Sequence, residues 1–144
     1  TLQREQFGRP IAEFQGLQWM LADMSTQLEA ARLMIYSAAR SAGTGESPFP
    51  DATAAAQAKL FASEMAIKVT NDALQLFGAK GYSRNTPMER IARDARMFTI
   101  GGGTAQILRT VIATRILDRK FPQSRDGYQN LGGGAKKNTK LKIV

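Results

Sequence analysis

The sequence predicts an all-α fold, an up-and-down bundle of the four-helix type that lacks its first helix. Three observations lead there. Apolar residues recur in alternating steps of three and four along two long stretches, the period of an amphipathic helix. No segment alternates with period two, so no strand is expected. The connections between the apolar stripes are short and rich in Gly, Ser and Pro, which makes successive helices antiparallel neighbours. At 144 residues the chain is of one-domain size, and 43% hydrophobic against 22% charged residues excludes a disordered chain. A chain of this size can bury roughly 70% of its unfolded surface.

The elements follow in order. Thr1 to Gly8 reads as the end of a helix, because good helix formers stop at Gly8 and Pro10 follows. No start signal precedes them, hence the expectation of a fragment that begins inside a helix. From Phe14 to about Ala42, Leu17, Leu21, Met24, Leu28, Ala31, Ile35 and Ala38 share one face of a helix about 42 Å long. Gly43 ends it, and residues 43–50 form a loop. A second long helix runs from about Asp51, its cap, to Phe77, with Gly78 ending it; Ala54, Ala58, Phe61, Met65, Val69, Ala73 and Leu76 are its stripe. Residues 81–85 form a turn. Thr86-Pro87-Met88-Glu89 then reads as a capping box with Pro at the first helical position. This short third helix turns Met88, Ile91, Ala95 and Phe98 inward and stops at Gly101-Gly102-Gly103. The fourth runs from Thr104 to about Phe121. Three substantial helices and one short one leave the bundle short of a wall. What covers the long stripes is therefore expected upstream of Thr1 or on another subunit.

Two zeros narrow the chemistry. Without Cys there is no disulfide or thiolate, and without His there is no Ser-His-Asp triad and no imidazole for a metal. No metal site is expected, and only carboxylates, Lys, Tyr or a borrowed cofactor remain to carry a reaction. The net charge of +8 resembles a nucleic-acid signature until it is located. Residues 122–144 carry +4 of it, as much as the whole of 1–121. The chain thus divides into a bundle, 1–121, and a basic tail, 122–144, that contains Gly132-Gly133-Gly134. The tail reads as a solvated appendage rather than an arm for nucleic acid or anionic lipid. No stretch approaches 18 uncharged apolar residues, so no membrane partner is expected either.

Gly101-Gly102-Gly103-Thr104 leads straight into a helix, where free N–H groups and the positive end of the macrodipole suit a phosphate or a developing oxyanion. A plain helix–helix turn with a Thr cap has the same pattern, and spacing by itself favours it. Gly78 to Tyr82 is a second Gly-rich turn, adequately read as a helix C-cap. Arg90, Arg93 and Arg96 with Glu89 and Asp94 read as an exposed face of ion pairs. Met20, Met24, Met34 and Met65 read as core.

Six motifs in sequence order carry a resemblance. They are Arg4 to Ile11, Phe14-Gln15, Leu21 to Met24, Gln75 to Tyr82, Pro87 to Arg90 with Arg93 to Ala95, and Gly103 to Ile107. Together they resemble the C-terminal helical domain of the acyl-CoA dehydrogenases over residues 1 to about 121. The resemblance implies FAD held between domains, an acyl-CoA substrate, an electron-transfer flavoprotein as redox partner, and a homo-oligomer, dimer or tetramer. With no Cys and no export signal visible, a cytoplasmic protein is expected, or a mitochondrial-matrix one if eukaryotic. By position, Arg4, Gln15 and the run Gln75, Leu76, Phe77, Gly78 and Ala79 correspond to contacts with the FAD of a neighbouring subunit. Thr104, Ala105 and Gln106 correspond to contacts within their own subunit, and Gly102 and Gly103 meet the substrate.

One departure stands out. Where many family members carry the catalytic Glu, this chain has Gly102, which cannot take a proton. Its N–H can still help hold a thioester oxygen. The isovaleryl-type and long-chain branches also lack Glu here. On that resemblance the base is expected on the helix ending near Gly8, upstream of Thr1, and the domain belongs to an enzyme that desaturates an acyl-CoA between its α and β carbons. A member that has lost the base and runs different chemistry is the alternative, and a helical scaffolding module without redox chemistry is the rival from another class.

Overall fold

The computed structural model describes residues 1–43, 48–119 and 121. The expected basic tail and residues 44–47 of the first loop lie outside the described residues.

The chain opens with a β-hairpin, not a helix. Strands β1 (Glu5–Gln6) and β2 (Arg9–Pro10) pair antiparallel, Glu5 opposite Pro10 and Gln6 opposite Arg9. Phe7 and Gly8 between them have φ of 55° and 76°, and two consecutive positive values are what a type I′ hairpin turn requires. The Gly-then-Pro signal read as a helix stop is therefore a chain reversal of another kind. Gly8 supplies the second left-handed position, and Pro10 sits on an edge strand where its missing N–H is not needed. Arg9 stacks its guanidinium 4.2 Å above the Phe14 ring, which also meets Phe7 edge-on. A single 3-10 turn, Ile11–Glu13, joins the hairpin to the bundle.

Helices α1 (Gln15–Arg40) and α2 (Ala52–Phe77) match the two long stripes. Asp51 caps α2 as expected, its carboxylate accepting from the Ala54 N–H at 2.8 Å. Gly78 ends α2 and opens a single helical turn, α3 (Ala79–Tyr82), so Gly81 and Tyr82 are helical where an open turn is expected. Helices α4 (Met88–Met97) and α5 (Ala105–Ile116) complete the bundle. The expected capping box at Thr86 does not form. The α3 turn brings the Lys80 carbonyl within 3.0 Å of the Thr86 hydroxyl, which donates to it, and Glu89 pairs with Arg93 instead. Helix α5 is shorter than expected: the chain leaves it at Leu117, and Asp118 adopts a φ of 45°.

Helix α2 is the hub against which α1, α4 and α5 all pack. Leu21 and Met24 of α1 share a cleft with Ala73 and Leu76, while Ile35 and Ala38 share another with Ala55 and Ala58, so the two long helices run antiparallel. Ala31, Met65 and Val69 are the centre of the core, flanked by Met24, Phe61 and Ala62. Small residues at the contact let the helix axes approach closely. The core is thin. Among the described residues no large side chain is fully buried, and Leu21, Leu28 and Ile35 of the α1 stripe stay exposed, as do Trp19, Leu33 and Tyr36. Ile91 and Phe98, expected inward, line a cleft with Ala66 and Thr70 of α2 but stay exposed, because the described helices do not close over them. Among the described residues no helix is long and apolar enough to cross a membrane.

Candidate functional site

The predicted site residues fall into two groups. The first lies where the hairpin meets the C-terminal end of α2. Arg4 Nη1 donates to the Phe77 carbonyl at 3.1 Å, tying the entry of the chain to a segment 73 residues away. Gly78 follows with φ 60° and ψ −147°, a backbone state essentially restricted to glycine. A Cβ built on Gly78 would stand 2.6 Å from Arg4 Nη1, so the missing side chain is what lets the guanidinium lie there. Arg4, Leu76 and Phe77 line a cleft of about 770 Å³ with Gln3, Ile11 and Lys80. Arg4 keeps further N–H donors beyond the one used on Phe77, and Lys80 adds a second cation. Gln15, the first residue of α1, and Gln75 and Ala79 are exposed and line other surface.

The second group is the turn between α4 and α5. Ile100 and Gly101 both donate to the Met97 carbonyl, at 2.9 and 2.8 Å, and Ala105 donates to the Thr99 carbonyl at 3.0 Å. Thr104 caps α5 by accepting from the Ile107 N–H at 3.2 Å, as its sequence position predicts. Gly102 and Gly103 take φ of +66° and +92°, and no described residue accepts from either N–H. Two adjacent donors are thus left at a helix N-terminus. Nothing lies within 4 Å of a Cβ built on Gly102. Thr104, Ala105 and Gln106 line a cleft of about 430 Å³ with Glu64, Lys68 and Arg96.

These residues flank the turn but were not anticipated from sequence. Glu64 is held by Arg109 at 2.7 Å. Lys68 pairs with Asp72 at 2.6 Å, and that hydrogen bond raises the Lys68 pKa above its ordinary value. Arg96 donates to the buried Thr99 hydroxyl. Most directly, Lys59 of α2 donates to the carbonyls of Phe98 and Gly103, at 2.5 and 2.7 Å. The available signal was its isolation, since Lys59 is the one charged residue between Ala52 and Ser63. Lys59 and Gly78 lie 19 residues apart, about 28 Å along α2, so the two groups are separate sites. Among the described residues no three His, Cys, Asp or Glu gather as a metal site.

Residues 1–117 match the acyl-CoA dehydrogenase C-terminal domain. The chain belongs to the acyl-CoA dehydrogenase family. It is 68% identical over 134 residues to the 3-sulfinopropanoyl-CoA desulfinase of Advenella mimigardefordensis, covering 93% of this chain and 32% of that protein. The butyryl-CoA dehydrogenase structure from Megasphaera elsdenii is 41% identical, with a TM-score of 0.74 over 81% of this chain and 30% of that one. A FAD complex of PigA is 31% identical, with a TM-score of 0.73 over 79% of this chain and 29% of that one. The chain thus spans about a third of the length of the curated relatives it matches. Among the described residues the chain is all-α apart from its two-residue strands.

The residues present fit a flavin nucleotide in two respects. An arginine with spare donors stands against a glycine that keeps the backbone low, as a pyrophosphate needs. At the other group, the donors of Gly102 and Gly103 suit the oxygen of a thioester that such a flavin would act on.

Proposed function

We propose that this chain is the C-terminal domain of an FAD-dependent enzyme that removes the sulfino group of a sulfinoacyl-CoA thioester as sulfite. The observation that carries this reading is the 68% identity to a 3-sulfinopropanoyl-CoA desulfinase, and Gly102 in place of a carboxylate agrees with it. The turn that meets the thioester has backbone donors and no carboxylate, and Glu64 of the neighbouring cleft is engaged with Arg109. Loss of a sulfino group breaks the C–S bond, with water supplying a hydrogen to carbon and an oxygen to sulfur. The balance closes without net oxidation of the acyl chain, so no external electron acceptor is required.

In it, Gly102 and Gly103 hold the thioester oxygen by their N–H groups, and Thr104 to Gln106 face the flavin of their own subunit. Arg4, Gln15 and the Gln75–Ala79 run face the flavin of a neighbouring subunit. The roughly 28 Å along α2 between the two groups supports a site shared across a homo-oligomer. So do Trp19, Leu33 and Tyr36, exposed on α1. FAD, when bound, supplies two-electron chemistry next to the thioester.

The second reading, α,β-dehydrogenation, is supported by the likeness to butyryl-CoA dehydrogenase. It needs a base from outside these residues and an electron-transfer flavoprotein as acceptor. The helix expected to carry that base does not end near Gly8, because a hairpin occupies residues 5–10.

The deciding experiment gives 3-sulfinopropanoyl-CoA to the purified full-length flavoprotein without an electron acceptor. Sulfite and propanoyl-CoA should form in equal amounts. No sulfite, together with bleaching of the flavin by butyryl-CoA, overturns the proposal in favour of dehydrogenation.

A further inference from the structure

We infer that Lys59 is a positioning residue for the Gly102–Gly103 donor turn, an inference that rests on the reading of that turn given above. The Lys59 stem crosses an apolar cleft lined by Ile35, Ala55, Ala62 and Phe98. Its ammonium ends on two neutral oxygens, the Phe98 carbonyl at 2.5 Å and the Gly103 carbonyl at 2.7 Å. No described carboxylate lies within ion-pair distance of it, although several other Lys and Arg side chains of this chain do pair. A long, rotamer-rich side chain is thus ordered on backbone rather than released to water or to an acid.

The two carbonyls bracket the turn. Phe98 is the C-cap of α4, where a cation complements the helix dipole. Gly103 immediately precedes the cap of α5. Between them stand Gly101 and Gly102, and with Gly103 they make three consecutive glycines, the sequence with the most backbone freedom a chain can have. Among the described residues, none accepts from the Gly102 or the Gly103 N–H. Their direction is therefore set only by the residues on either side. In a trans peptide the C=O and N–H point opposite ways. Holding the Gly103 carbonyl on Lys59 fixes the Gly103–Thr104 peptide plane, the one immediately after the donors, and holding the Phe98 carbonyl fixes the plane before the turn, so Gly102 and Gly103 are held between two anchored peptides. Lys59 acts on the donors through the turn and touches no substrate.

The test uses the full-length flavoprotein with Lys59→Met, which keeps the stem, and Lys59→Arg, which restores a cation able to reach two carbonyls. Hydrogen exchange is read at Ile100, Gly101 and Ala105, the bonded amides of the turn, and at Ile11 as the hairpin control. Lys59→Met should speed exchange in the turn about tenfold or more and leave Ile11 unchanged. It should lower kcat about 10- to 100-fold, as misplaced donors do, with KM within about threefold. Lys59→Arg should recover most of both. Unchanged exchange in the turn overturns the inference, and so does a rise that Ile11 shares, or a loss of turnover that falls on KM alone. If the wild-type protein turns over no thioester, the proposed function fails, while the exchange measurement still decides whether Lys59 orders the turn.

Discussion

Gly78→Ala tests the link between the hairpin and the end of α2 most directly. Two effects add. Gly78 has φ 60° and ψ −147°, and placing an L-residue there costs about 1–3 kcal/mol of backbone strain. The new Cβ would stand 2.6 Å from Arg4 Nη1 and 3.4 Å from its Cζ. The guanidinium is the free end of a flexible side chain, so it moves aside cheaply, but it then gives up the Phe77 carbonyl. That exposed bond is worth about 0.5–1.5 kcal/mol net. The expected loss is about 2–4 kcal/mol in total, which is large beside the 5–15 kcal/mol stability of typical domains. A double-mutant cycle separates the parts. Arg4→Ala alone should cost about 0.5–1.5 kcal/mol, and in that background Gly78→Ala should cost only its backbone share, a coupling of about 1 kcal/mol. Urea unfolding of the four proteins, followed by far-ultraviolet circular dichroism, measures each term. A Gly78→Ala loss below about 0.5 kcal/mol, or an identical loss in both backgrounds, would refute the reasoning.

Three further outcomes are expected. Gly102→Glu meets no atom within 4 Å and costs about 1–2 kcal/mol for its left-handed backbone, while placing a carboxylate at the thioester turn. In the full-length flavoprotein it should increase flavin bleaching by butyryl-CoA, and unaltered bleaching counts against the assignment of the turn. Asp51→Ala should destabilise by about 1 kcal/mol through loss of the α2 cap, a larger loss than Thr86→Ala, whose hydroxyl caps no helix; equal midpoint shifts in urea would contradict this. Lys68 has its pKa raised first of all by its hydrogen bond with Asp72. A raised cation stabilises the fold fully below its ordinary value, and the contribution fades as pH climbs through the raised one. Asp72→Asn should return the Lys68 titration, followed by NMR of its side chain, to the ordinary lysine range. No movement toward that range would contradict the pairing.

Helix existence was legible in the sequence wherever a stripe was long. The apolar spacing around Met24, Ala31, Met65 and Val69 places α1 and α2 to within about two residues, because a 3.6-residue period repeated over seven turns has no competing reading. The caps at Asp51 and Thr104 are local chemistry, side chain to backbone three residues on, and they too could be read directly. That Gly102 carries no side chain is likewise a fact of sequence. What tertiary structure decided is whatever depends on partners distant along the chain. Gly8 and Pro10 fit a helix end or a hairpin equally well, and the turn angles at Phe7 and Gly8 choose the hairpin. The hydroxyl of Thr86 suits a capping box until α3 folds the Lys80 carbonyl against it. Lys59 reads as an ordinary surface cation until packing brings the ends of the Gly-rich turn, 39 and 44 residues onward, onto its ammonium. Periodicity and capping are short-range and survive in the sequence. Which donor meets which acceptor across the bundle is set by helix approach, and the sequence records that only through the small residues that permit it.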